Sequence, residues 1–137
     1  MLFRSLREGN QVYRLDFKAG TIHHVAGTGA KGFTGDGGPA KLATLSGPKG
    51  IAVGADGGVY LADTENHGIR RIDIRSGMIE SVVGDGRPGD GPDGDASSAR
   101  LKRPHGVFVE ANGDVLVGDS ENHKVRRLRR TGGEPGR

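Results

Sequence analysis

The stretches GPKGIAVGADGGVYLADTENHGIRRID (47–73) and RPHGVFVEANGDVLVGDSENHKVRRLR (103–129) are two copies of one unit. At an offset of 56, Pro48/Pro104, Gly50/Gly106, Val53/Val109, Asp63/Asp119, Asn66/Asn122, His67/His123 and Arg70–Arg71/Arg126–Arg127 coincide. The 27 aligned pairs hold 12 identities, against roughly two expected by chance from average residue usage. An earlier copy precedes them, because VYRLDFKAGTIHHVAGTGAKG (12–32) aligns with IRRIDIRSGMIESVVGDGRPG (69–89) at an offset of 57. A one-residue deletion after Gly94 restores 56 by Leu45/Leu101. Self-similarity at a fixed period of this size marks a solenoid, an array or a propeller.

Each copy reads as short strands punctuated by turns. Asp56-Gly57 and Asn112-Gly113, set between apolar runs, are strong hairpin signals. Strands are predicted at 50–53, 59–62, 69–74 and 78–83, and no segment carries a helical stripe of useful length. Four antiparallel strands per repeat make one propeller blade, so the fold class is all-β. Stacked blades cover both faces of each sheet. That reconciles a hydrophobic share of 33% and 26 Gly in 137 residues with a folded chain, where composition alone suggests disorder. No apolar run is long enough to span a membrane, and MLFRSLREGN (1–10) offers no signal-peptide core, which leaves the compartment open. The absence of Cys excludes a disulfide scaffold and a thiol nucleophile.

The D-x-E-N-H-x-[IV]-R-R motif, twice in register, and the Gly-rich stretch GTGAKGFTGDGGPA (27–40) resemble NHL repeats, the blades of a β-propeller family, in a bacterial type with long inter-blade loops. The resemblance implies a ring of six blades, of which 137 residues supply about 2.4. The expected division is a partial blade 1–45, a full blade 46–101, a partial blade 102–130 and a tail 131–137. A fragment, or a chain that completes its ring by self-association, is the corresponding expectation.

Several motifs invite chemistry. Gly27-x-Gly29-x-x-Gly32 matches a dinucleotide fingerprint, but Pro39 and four further Gly or Asp residues follow where a helix must start, so it reads as a loop. Asp85, Asp90, Asp93 and Asp95 do not follow the order of a calcium loop and read as a solvated acidic turn. His23 and His24 are adjacent on a strand and point to opposite faces. No cofactor or metal is expected. Asp63/Asp119 with Arg70–Arg71/Arg126–Arg127 read as an ion pair within or between blades, leaving one Arg of each pair for ligand or phosphate. The run Lys124–Arg130 raises RNA binding, but it lacks an aromatic stacking platform, and nucleic acid is not expected as a partner.

In a blade a–b–c–d, the b–c turn and the connection to the next blade share one end. Lys49, Glu65, Asn66, His67, His105, Glu121, Asn122 and His123 therefore fall on one loop-rich face, with Lys49 and His105 at the channel mouth. Long loops on a rigid scaffold carry function, so these eight are the candidate binding residues. The expected function is a non-catalytic scaffold for a protein or small ligand. The family resemblance also implies alternatives: a lactone hydrolase-like or metal-dependent lyase-like propeller enzyme, and an RNA binder.

Overall fold

The computed structural model describes residues 2–130, and the expected tail 131–137 lies outside them. The first sheet comprises β1 (Leu2–Leu6), β2 (Gln11–Asp16) and β3 (Thr21–Ala26) in that order. After the two-residue β4 (Gly38–Pro39), the second sheet runs through β5 (Ile51–Val53), β6 (Gly58–Asp63), β7 (Gly68–Asp73) and β8 (Met78–Val83). Its order is β4-β8-β7-β6-β5, so β4 caps the outer edge of β8. The third sheet holds β9 (Gly106–Val109), β10 (Val115–Asp119) and β11 (Lys124–Leu128). Every pairing between strands is antiparallel. The only helices among the described residues are three single 3-10 turns. By the repeat offset, the first sheet supplies strands b, c and d of a blade, the second all four, and the third a, b and c. This is a partial β-propeller.

The turns form where the residues require. Gly57 and Gly113 take φ +84 and +94, a conformation costly for any residue with a Cβ. Asp56 Oδ1 accepts from the Gly58 N–H at 2.9 Å and Asn112 Oδ1 from the Asp114 N–H at 2.9 Å, closing each hairpin by a side-chain turn.

Strand alternation divides the core into two layers. Val59 and Leu61 of β6 pack toward the first sheet with Val12, Ala26, Leu45 and Ile79. Tyr60 and Ala62 face the third sheet with Ile69, Val83, Leu101 and Val117. All six residues of β6 are buried, because a blade between two blades has no solvent face. This is how few apolar residues suffice: in the middle sheet they are buried on both faces.

Candidate binding face

In the second and third sheets the b–c turn is a 3-10 turn, Thr64–Asn66 or Ser120–Asn122, ended by a left-handed histidine, His67 (φ 55) or His123 (φ 57). The left-handed position thus belongs to the histidines, while Asn66 and Asn122 have a different task. Asn66 Nδ2 donates to Asp63 Oδ2 at 2.8 Å and to the Gly32 carbonyl at 2.7 Å. Asn122 repeats this with Asp119 Oδ2 at 2.9 Å and the Gly89 carbonyl at 2.8 Å. Asp63 Oδ1 accepts from the Ser46 N–H and Asp119 Oδ1 from the Lys102 N–H, both at 2.8 Å. The turns and the inter-blade connections are therefore stitched together at one end, as the antiparallel order requires.

Arg70 anchors the same cluster. Its guanidinium donates to Asp63 Oδ2 at 3.3 Å, to Asp36 Oδ1 at 2.9 Å and to the Thr44 and Thr34 carbonyls at 2.8 and 2.9 Å. The ion pair is therefore one part of a wider set: the guanidinium spreads over four acceptors. Burial pushes the Asp63 carboxyl up, against the opposing pull of Asn66, the Ser46 N–H and Arg70. Arg126 reproduces the arrangement more loosely, 3.7 Å from Asp119 and 3.0 Å from Asp93. The second Arg of each pair is engaged at the opposite end. Arg71 meets Asp56 at 3.1 Å, and Arg127 meets Glu110 and Asp114.

Successive blades are joined across this face. His67 Nδ1 accepts from the Arg103 N–H at 3.1 Å. In the preceding blade Asn10, also left-handed at φ 52, accepts from the Gly47 N–H at 2.9 Å. Positions 10 and 67, and 47 and 103, are equivalent by the repeat. Accepting at Nδ1 requires the neutral ring, and burial correspondingly lowers the His67 pKa. Thr64 Oγ1 adds a bond to the Pro104 carbonyl at 2.7 Å. Above them the Arg103 side chain grips Glu65 through Nε at 2.8 Å and Nη2 at 3.0 Å, and meets Glu121 through Nη1. Those hydrogen bonds hold both carboxyls below their usual range.

Just before β5 and β9, Lys49 Nζ and His105 Nε2 stand 3.2 Å apart, and the His105 carbonyl accepts from the Gly50 N–H at 2.9 Å. Burial and the neighbouring Lys49 and Arg103 lower the His105 pKa; an ammonium has only donors, so in this contact the Lys49 Nζ donates and Nε2 of the neutral ring accepts. Of the eight candidates, the structure brings Lys49 and His105 together and links Glu65 to Glu121 through Arg103. Asn66, His67 and Asn122 turn inward to hold loops. His123 lies exposed on the rim of the third sheet.

The Teneurin NHL domain family matches residues 8–88, more than half of the chain, and the NHL repeat family matches residues 101–128. The chain belongs to the NHL-repeat family. It is 32% identical over 90 residues to Protein SUPPRESSOR OF QUENCHING 1, chloroplastic, of Arabidopsis thaliana, covering 66% of this chain and 8% of that protein. It is 30% identical over 122 residues to NHL repeat-containing protein 2 of Bos taurus, covering 81% of this chain and 16% of that one. A crystal structure of a Bacteroides thetaiotaomicron protein of unknown function superposes with a TM-score of 0.81 at 20% identity, over 91% of this chain and 31% of the other. This NHL chain thus spans a minor part of each relative's length.

Three features of these NHL blades escape sequence reading. Arg103 does, because its counterpart is Gly47 and a reading weighted to shared positions passes over it. Asn10 shares its place with His67 but not its residue type. The acidic stretch 84–99 is not merely solvated: Asp85 pairs with Arg100 at 3.4 Å, Asp90 with Lys124 at 2.6 Å and Asp93 with Arg126 at 3.0 Å. Much of the basic C-terminal run is thus neutralised within the chain. The charge sums of −3 over 84–99 and +4 over 100–137 were the available signal. Among the described residues no group of three His, Asp or Glu converges on a point that suits a metal.

Proposed function

We propose that this chain is part of a non-catalytic NHL binding propeller whose ligand or protein contacts concentrate on the loop-rich face. Lys49 and His105 form the centre of the contact surface, and Glu65, Glu121 and His123 form its rim. Asn66, His67 and Asn122 act one step back, holding the turns that carry these side chains. The observation that supports this reading is the Lys49–His105 pair. An ammonium and a neutral imidazole sit side by side, and neither is tied to a carboxylate among the described residues. Together they offer donors to a carboxylate, amide or phosphate group. At the opposite end the charged groups of Arg71 and Arg127 are held by turn acids, Asp56 and Asp114.

Since the chain has no Cys, a photo-crosslinker can be placed by a single cysteine at Glu121 on the loop-rich face or at Ala111 on the opposite one. In extracts of the source cell, adducts are expected from position 121 and not from 111. They should be lost in a Lys49→Ala/His105→Ala double variant with unchanged melting, as exposed substitutions shift stability by only about 0.5 kcal/mol. Equal adducts from both positions, or adducts indifferent to the double variant, would refute the face assignment.

A further inference from the structure

The ring of His105 is crowded by charge. Lys49 Nζ stands 3.2 Å from its Nε2. Arg103 lies two residues before it, and Glu65 and Glu121, one from each b–c turn, complete the ionisable groups that bear on the ring. Neither carboxylate is free to balance the Lys49 ammonium, because Arg103 holds Glu65 through Nε and Nη2 and Glu121 through Nη1. With Lys102 beside Glu121, three cations stand against two carboxylates, and the excess positive charge is met only by a neutral imidazole. Burial, Lys49 and Arg103 together disfavour protonation of that ring. The contact is anchored at both backbones. The Lys49 N–H donates to the Ala62 carbonyl at 3.0 Å, and the Lys49 carbonyl takes the Ser5 hydroxyl. The His105 N–H donates to the Gly118 carbonyl at 3.1 Å, and the His105 carbonyl takes the Gly50 N–H. Donors held in place in this way bind at a low ordering cost.

Taking the loop-rich face as the contact surface, as proposed above, we propose that its ligand presents an oxyanion, a carboxylate or a phosphate group, and is taken up together with one proton on His105. One oxygen accepts from Lys49 Nζ, which turns its N–H away from Nε2. The freed Nε2 takes a proton from solvent and donates to a second oxygen. One N–H···N bond is thus exchanged for two charge-assisted N–H···O bonds, and a negative charge enters with the proton. A neutral amide does not support this exchange, since it brings nothing to offset a second cation beside Lys49. The free ring has a lowered pKa and the anion raises it. Affinity is therefore flat above the raised value, strengthens as pH falls between the two, and is flat again below the free value. Glu65 and Glu121 stay ionised across that range, because Arg103 holds both below the usual carboxylate values. His67, whose Nδ1 is committed to the Arg103 N–H, titrates separately and serves as the control.

The first probe is acetate, a carboxylate that stays ionised above about pH 6. It is titrated into the intact 137-residue chain at constant ionic strength while NMR follows the imidazole resonances. The His105 midpoint should rise with acetate and saturate while the His67 midpoint stays. Acetate affinity should grow by up to about tenfold per pH unit for one proton taken up. Lys49→Gln should lose the response, and His105→Gln should bind acetate with no pH dependence. Inorganic phosphate, used above its own second pKa of about 6, separates the sources. A preference for phosphate supports a phosphorylated ligand, and parity with acetate supports an acidic side chain or chain end. A His105 midpoint indifferent to about 50 mM of either anion overturns the proposal, as does an equal response in Lys49→Gln or an equal shift of His67. Crosslinks from position 121 that need Lys49 and His105, obtained together with an indifferent ring, overturn the oxyanion and leave the contact face standing.

Discussion

At His67 a left-handed backbone and a neutral imidazole are needed together. The left-handed turn aims Nδ1 at the Arg103 N–H, and protonation of Nδ1 destroys the acceptor. The folded-state pKa lies below the ordinary value, chiefly through burial. Its contribution is therefore present above the unfolded pKa of about 6.5 and is lost as pH falls through the lowered folded value. The protection factor of the Arg103 amide, corrected for the intrinsic pH dependence of exchange, should fall as pH drops below about 6.5, by up to the worth of one hydrogen bond, about 1 kcal/mol. His67→Asn should abolish that fall and keep the bond at neutral pH, because Asn10 makes the same contact to Gly47 from φ 52. An undiminished pH response in the variant would assign the effect elsewhere. Asp63 is a harsher case. Its removal takes one of two carboxylates from Arg70, whose side chain is 1% exposed and whose Nε already has no partner, and leaves the Ser46 N–H without its acceptor. Asp63→Ala should cost about 3–5 kcal/mol, the range for breaking a buried pair, against little change for the exposed Glu121→Ala; urea unfolding of the two variants decides it.

Where elements meet, β5 and β9 approach each other closely. A Cβ on Gly50 would strike the His105 carbonyl and come within 3.1 Å of the Gly106 Cα, both backbone atoms that cannot swing aside. Gly50→Ala should therefore separate β5 from β9, lower stability by about 1–3 kcal/mol, and move Lys49 away from His105. Loss of the backbone bond from the Gly50 N–H to the His105 carbonyl, read by amide exchange, checks this; an unchanged amide would show that the strands tolerate the methyl. Gly50 and Gly106 recur in the repeat, so the need for a small residue is legible in sequence, and so are Asp56-Gly57, Asn112-Gly113 and the strands they join. The adjacency of positions 49 and 105 is legible too, because alternation alone sets strand ends. What is not legible is chemistry that varies between copies. Arg103 bridges two carboxylates where its counterpart Gly47 bridges none, and the Asp93–Arg126 contact spans 33 residues with no local signal. The inward role of Asn66 is also hidden, since an asparagine in a turn reads equally well as a turn former.

Over the whole molecule, the two end sheets differ from the middle one in having a single covered face. On the third sheet Phe108 pairs with Leu116 and Gly118 with Val125, so these side chains share the side turned away from the second sheet. Phe108 and Val125 are 61% and 76% exposed. On the first sheet Leu2, Leu15 and Ile22 are cross-strand neighbours, and Ile22 is 63% exposed. In the interior Leu116, Val125, Leu2, Leu15 and Ile22 correspond to Tyr60, Ile69, Val59, Ile72 and Ile79, all buried against a neighbouring blade, and Phe108 to the half-buried Ala52. A repeat array is stabilised mainly by such interfaces, and apolar patches of this kind mark contact surfaces. The 137-residue chain on its own should accordingly gain stability by covering them, and stability gained by association depends on concentration. Its melting temperature should rise over a hundredfold range of protein concentration, with larger species in sedimentation at the upper end. A Phe108→Glu/Val125→Lys variant should stay smaller at every concentration and melt at the value the unaltered chain reaches on dilution, since neither residue contributes to the covered layers. A cooperative, concentration-independent transition of a monomer, the same in both proteins, would mean that the two covered interfaces hold these blades without help from their outer faces.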